Sequence, residues 1–227
     1  MVKFARMVIV LMLALCASVI NAKIAERESC DAGNSARDSQ MRRRVVAVIG
    51  PEMSGSGVLI SPDEVLMTAH EIMNEKVSVQ VVTCDWETIR GTVVWVDTTL
   101  DLALVKIEGS LPYYFSMQGN PVRAGEAIST IGQPDGTAWM ISTGVVLKEN
   151  KAVRVRYPDA RTQEHSLIIS SAYTKQGGSG GALVDERGQL VGIIIADLSL
   201  QGVDGNLSTA QSITNFCRAY AHPLCPP

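Results

Sequence analysis

The sequence predicts an all-β fold: two six-stranded antiparallel β-barrels with a short C-terminal helix. Three observations lead there. From about position 45, short apolar runs recur between turn-forming Gly, Pro, Asp and Asn residues. About six runs fall on each side of a Gly/Pro-rich middle, Glu108 to Gly125. Helical periodicity is convincing only from Ser212 to Ala221, which excludes alternating strand–helix units.

The elements follow in chain order. Lys3 and Arg6 precede an uncharged apolar stretch, Met7 to Ala17, and Ile20-Asn21-Ala22 ends in a small residue. That pattern describes a secretory signal peptide over 1–22, and the apolar stretch is too short for a membrane anchor. A lipidated Cys16 is disfavoured by the bulky Leu15 before it. Residues 23–43 are polar and aperiodic, a loose N-terminal arm. The first barrel is assigned to 44–112, with strands Val45–Ile49, Gly57–Ile60, Val65–Thr68, Val77–Thr83, Thr88–Val96 and Leu102–Ile107. The second is assigned to 113–213, with strands Ala127–Ile131, Met140–Leu147, Ala152–Tyr157, Ser166–Ser170, Ala182–Val184 and Leu190–Ala196. Residues 214–227 form the C-terminal helix and tail.

Composition narrows the function classes. The chain has 227 residues, 46% hydrophobic and 19% charged, the make-up of an ordinary packed globule. Its 19 Gly and 9 Pro show no period, which excludes collagen. A formal net charge of −3 gives no pull towards nucleic acid. Cleaving the leader removes one of five cysteines and leaves Cys30, Cys84, Cys217 and Cys225. An even count in an exported chain is compatible with two disulfides in any of three pairings, and Cys217–Cys225 closes the shortest loop. No cysteine or histidine spacing suits zinc, so no metal is expected and no cofactor.

Three segments carry chemistry. Gln176-Gly177-Gly178-Ser179-Gly180-Gly181 sets one serine among four glycines, directly before a strand. A nucleophilic serine needs such surroundings, because its oxygen must be free and N–H donors must face the developing oxyanion. By itself the segment reads equally well as a flexible turn. His70, in Thr68-Ala69-His70, follows a strand that partners the Gly55–Ile60 run. Its ordinary pKa of about 6.5 suits a general base. Asp101 precedes the apolar Leu102–Ile107 run and can fix the histidine tautomer, whereas Asp97 reads as a turn cap.

Together these segments resemble trypsin-like serine proteases of the chymotrypsin fold, and the HtrA/Deg-like branch more than the pancreatic enzymes. The residues are Gly55–Ile60, Thr68-Ala69-His70, Asp101–Lys106 and Gly177–Leu183, in the family's order of His, Asp, Ser. Ile131-Gly132-Gln133-Pro134, Ser142-Thr143-Gly144-Val145-Val146 and Leu190-Val191-Gly192-Ile193 resemble that branch's second barrel. The likeness runs from about Arg44 to Ile213. It implies barrels of the trypsin-like type and a secreted or periplasmic serine endopeptidase, acting through His70, Asp101 and Ser179 and an acyl-enzyme. The N–H groups of Gly177 and Ser179 would form the oxyanion hole. Tyr173, Thr174, Ile194, Ile195 and Ala196 would bind the substrate side chain.

Two departures refine the resemblance. Gly178 stands where pancreatic-type zymogens place an aspartate, so no ion pair with a new N-terminus is expected. Arg42-Arg43-Arg44 therefore reads as a solvated edge or a cleavage-prone arm. Tyr173 stands where a Lys/Arg preference needs a carboxylate, so small or medium apolar side chains are expected. The expected partners are protein or peptide substrates, with no nucleic acid and no stable membrane insertion after leader cleavage; the oligomeric state stays open. The two barrels are expected to use nearly all the chain, so the PDZ module of many HtrA-like proteases is not expected in it. A catalytically silent binding module on the same barrels is the alternative. His165 reads as solvated, His222 as inert, and Trp86, Trp95 and Trp139 as strand packing. Asn206-Leu207-Ser208 matches a glycosylation acceptor.

Overall fold

The computed structural model describes residues 30–31, 35–51, 53–72, 76–117, 121–136, 138–157, 160–197 and 207–225. The predicted leader 1–22 with Cys16, residues 23–29 and 32–34 of the arm, and Asn206 lie outside the described residues. Six strands close the first barrel: β1 (Val45–Ile49), β2 (Ser54–Ser61), β3 (Glu64–Thr68), β4 (Ser78–Val82), β5 (Thr88–Asp97) and β6 (Leu102–Ile107). The second is closed by β7 (Ala127–Gly132), β8 (Met140–Arg156), β9 (Thr162–Ser170), β10 (Ala182–Asp185), β11 (Leu190–Asp197) and β12 (Ser208–Ser212). Each runs antiparallel in the order first, second, third, sixth, fifth, fourth or its equivalent, so neither barrel leaves an open edge.

The barrels pack because several strands are apolar on both faces. Side chains alternate along a strand, and on β3 Val65 and Met67 fill the first barrel while Leu66 faces the second. On β6 Ala103 and Val105 point inward, and Leu102 and Leu104 join the core between barrels. There they meet Ile131, Ala182, Ile193 and Ile195 from the second barrel. Each such Leu or Ile contributes about 1.5–3 kcal/mol on burial. Trp139 is 2% exposed, and its indole N–H donates across to Val45 O at 2.7 Å.

Four readings are corrected. Met140–Leu147 and Ala152–Tyr157 are not separate strands: β8 is one 17-residue strand, carried past two register shifts against β9. The sixth strand of the second barrel is β12, which pairs β11 with β9 and leads straight into the helix α2 (Ile213–Ala219). The described part of the arm is not loose, because residues 36–42 form the helix α1 (Ala36–Arg42), capped by the Ser35 hydroxyl accepting from Asp38 N–H. A disulfide from Cys30 to Cys84 ties this end to the first barrel, and Cys217–Cys225 forms the second bridge. Nor are the three arginines a solvated edge. Arg42 donates to Trp139 O at 2.9 Å, Arg43 pairs with Asp85 and Asp31, and Arg44 lies over the Phe115 ring.

The Gly/Pro-rich middle is held to both barrels: Leu111 N–H donates to Pro62 O at 2.7 Å and Phe115 N–H to Leu59 O at 2.8 Å, while Gly125 N–H donates to Val146 O at 2.8 Å. Among the described residues no helix is long and apolar enough to cross a membrane.

Candidate active site

The register of β3 against β6 builds the first half of the site. Thr68 lies opposite Leu102, so the residues just past one strand meet those just before the other. Ala69, His70 and Glu71 turn into a short 3₁₀ helix, while Asp101 takes a φ of +58° and feeds into β6. Asp101 O accepts from Ala69 N–H at 3.1 Å, and Asp101 Oδ1 from His70 N–H at 2.9 Å. Asp101 Oδ2 lies 2.7 Å from His70 Nδ1, which fixes the ring and leaves Nε2 to face the cleft. Asp101 is 1% exposed. Asp97 is the turn cap, accepting from Thr99 and Leu100 N–H groups.

The second half is the glycine turn before β10. Gly177 has φ +88° and Gly180 φ +82°, a backbone region that L side chains rarely adopt. A Cβ on Gly180 would also stand 1.9 Å from Ser56 O, so this turn can dock on β2 only as glycine. Ser56 clamps it from the first barrel: its N–H donates to Ser179 O at 2.7 Å and its hydroxyl to Gly177 O at 2.8 Å. The same hydroxyl accepts from Gln133 N–H at 3.1 Å. Gln176 O is turned away to Asp135 N–H, at 2.8 Å. Among the described residues no acceptor is bonded to the N–H groups of Gly177 or Ser179.

The Ser179 hydroxyl donates to Ile195 O at 3.0 Å, not to His70. His70 Nε2 faces Glu71 Oε1 at 3.4 Å. Burial alone would lower the His70 pKa, but the Glu71 and Asp101 carboxylates override it and raise it to about 9. Burial raises the Glu71 carboxyl to about 7, opposed by His70 and reinforced by Asp101.

The fold brings His70, Ser179, Gly177, Ile195 and Ala196 onto one hollow of about 390 Å³. Three expected pocket residues are not on it. Tyr173 turns its hydroxyl to Asp135 Oδ2 at 2.9 Å, because its backbone is drawn to Ser142 and Thr130. Thr174 is buried behind Gly178, where a Cβ would stand 2.2 Å from its hydroxyl. Ile194 is 1% exposed, with its backbone bonded to Gly180 and Gly181. The hollow is lined as well by Met53, Ser54, Glu71, Lys175 and Gln176, by Val155 and Arg156 at the end of β8, and by Tyr157 just after it. An acid directly after His70 was the one sequence signal for any of these. Ser56 gave none, since a serine in an apolar strand reads as filler.

The two remaining histidines are structural. His165 is 4% exposed on β9, with Nε2 2.6 Å from the Tyr157 hydroxyl, and burial holds its pKa below the ordinary value. His222 Nδ1 accepts from Leu224 N–H, and Nε2 lies 2.9 Å from Glu64 Oε2. Both were read as solvated or inert, because their partners are remote in sequence or on a neighbouring strand. Trp95 packs on Phe216 and Tyr220, whereas Trp86 is 47% exposed with its ring edge-on to Trp139. The one group of three possible metal ligands among the described residues, Cys30, Cys84 and Asp85, has both sulfurs in a disulfide.

The family described as "Trypsin-like peptidase domain" matches residues 55–193. The serine protease HTRA1 of Xenopus laevis is 30% identical over 145 residues, which is 63% of this chain and 31% of that protein. A putative serine protease HhoB of Synechocystis sp. is 31% identical over 166 residues, 70% of this chain and 39% of that protein. The chain thus spans about a third of the length of these relatives. In structure, the active form of the Rv3671c protease from M. tuberculosis superposes with a TM-score of 0.69 at 23% identity, covering 83% of this chain and 84% of that one. That likeness concerns the fold.

Proposed function

This chain belongs to the trypsin-like peptidase family, in its HtrA-like branch, and we propose that it is an exported serine endopeptidase. The observation that carries the reading is the His70–Asp101 pair at 2.7 Å beside a serine turn whose Gly177 and Ser179 N–H donors have no acceptor among the described residues. Ser179 Oγ turns from Ile195 to His70 Nε2, gives up its proton and attacks the peptide carbonyl. The oxyanion forms between the N–H groups of Gly177 and Ser179, each contributing about 3–4 kcal/mol to the transition state. His70 then protonates the leaving amine, and Ser179 carries the acyl group. Water attacks the ester with His70 again as base, which returns the serine and releases the acid. Asp101 keeps Nδ1–H in place and steadies the imidazolium throughout.

Ile195 and Ala196 form the apolar wall against the substrate side chain, which favours small or medium apolar residues. Export rests on the leader pattern in 1–22 and on two disulfides, which persist in oxidising compartments. It places the protein in the periplasm or outside the cell.

A silent binding module is the second reading, favoured by one observation: the Ser179 hydroxyl rests on Ile195 O. Hydrolysis of a peptide library by the wild type and by Ser179→Ala separates the two. The protease reading expects turnover that Ser179→Ala lowers by about 10⁵-fold or more. It also expects a rate that climbs with pH towards about 9, because only unprotonated His70 can take the serine proton. Equal, trace turnover by both proteins at every pH would favour the silent module.

A further inference from the structure

The proposed mechanism uses Asp101 and Ser179 around the His70 ring and leaves a third group without a task. Glu71 Oε1 stands 3.4 Å from Nε2, the atom that must receive the serine proton. The seat for this carboxylate is built. Its side chain is 4% exposed, and the Thr68 hydroxyl donates a hydrogen bond to Oε2. Gly55 leaves the space, since a Cβ there would stand 2.7 Å from Oε1. Across the cleft the Ser179 hydroxyl is engaged by Ile195 O at 3.0 Å. Both atoms of the catalytic Ser–His hydrogen bond therefore rest on other partners.

We propose that Glu71 is a positioning residue that competes with Ser179 for His70 Nε2 and sets the pH at which the base becomes available. The inference rests on the reading of His70 as the general base. With Asp101 at Nδ1 and Glu71 at Nε2, two carboxylates bracket one imidazole, an arrangement that favours the doubly protonated ring. An imidazolium has no lone pair for the serine proton, so the clasp holds the site at rest until the ring is deprotonated or Glu71 is neutralised.

The other groups facing the ring do not reproduce this. Arg161, before β9, opposes protonation of His70. The Tyr157 ring at the end of β8 packs 5.4 Å from the imidazole, and His165 on β9 lies behind it, held by the Tyr157 hydroxyl. Ser179 carries no charge. Burial also acts against protonation, and the Glu71 charge heads the influences that overcome it.

The test is an NMR titration of the His70 ring in the full chain carrying Ser179→Ala, which prevents self-cleavage. The titration is made with Glu71 intact and with Glu71→Gln, which keeps an acceptor for Thr68. Loss of the carboxylate is expected to lower the His70 midpoint by roughly 1–3 pH units. In the chain that retains Ser179, the same substitution should speed fluorophosphonate labelling at neutral pH by roughly tenfold or more. Thr68→Val, which removes the anchor of Oε2, should move the midpoint in the same direction by less. A midpoint unmoved by Glu71→Gln and Thr68→Val, while Asp101→Asn shifts it, overturns the proposal. Because the titration needs no turnover, a shifted midpoint without any labelling would sink the protease reading and uphold the clasp. Labelling with an unshifted midpoint would do the reverse.

Discussion

The two halves of the site are held by different means. In the first barrel, strand register does the work: pairing Thr68 with Leu102 brings His70 onto Asp101, and three hydrogen bonds to Asp101 lock the corner. In the second barrel Ser179 sits in a glycine turn outside any strand, and its position is borrowed from the other barrel through Ser56. The proposed base, His70, and its partner Asp101 are therefore fixed by the sheet itself. The proposed nucleophile depends on the contact between barrels, and its hydroxyl is bonded to Ile195 O rather than to His70. Assembly of the site is thus a property of the interface more than of either barrel.

The sharpest way to separate the halves is Asp101→Asn. It removes the acceptor for Nδ1–H but keeps the shape of the corner, so kcat should fall by about 10⁴ with the fold retained. Thermal melting beside kinetics checks this, and a few-fold change in kcat would mean that another acid, with Glu71 the nearest, orients the ring. Ser56→Ala should have a smaller effect and act on the other half. It strips a buried partner from Gly177 O and Gln133 N–H, costing about 1–3 kcal/mol of stability. Loosening the turn should lower kcat by up to about 10², while the His70 titration stays where it was. A shift of that titration would show that the halves are not independently held.

The sequence was most readable where structure is local. The runs that became β1 to β6 and β7 announced themselves as short apolar stretches between turn residues, and the glycine turn by its own composition. His70 and Asp101 were readable because each abuts a strand end, where register alone brings them together. What was lost depends on contacts distant in sequence. Residues 36–42 fold as a helix beside a disulfide from Cys30 to Cys84, and Arg42 reaches Trp139, 97 positions away. Tyr173 leaves the expected pocket because Asp135 and Ser142 draw it off, 38 and 31 positions back. β12 was hidden because its polar Ser208, Thr209 and Gln211 are buried and bonded inside the sheet rather than exposed. Glu71 was overlooked for the same reason: a carboxylate beside a histidine reads as solvent-facing until Thr68 and Gly55 are seen to enclose it.

The function proposed for this protein depends on Ser179 acting as a nucleophile activated by His70 across the barrel interface. Labelling the folded chain with a fluorophosphonate and locating the adduct by peptide mass spectrometry tests it most directly. One adduct is expected, on Ser179, absent from Ser179→Ala and forming faster as pH rises towards about 9. No adduct on Ser179 at any pH in that range, in a chain shown to be folded, would contradict it.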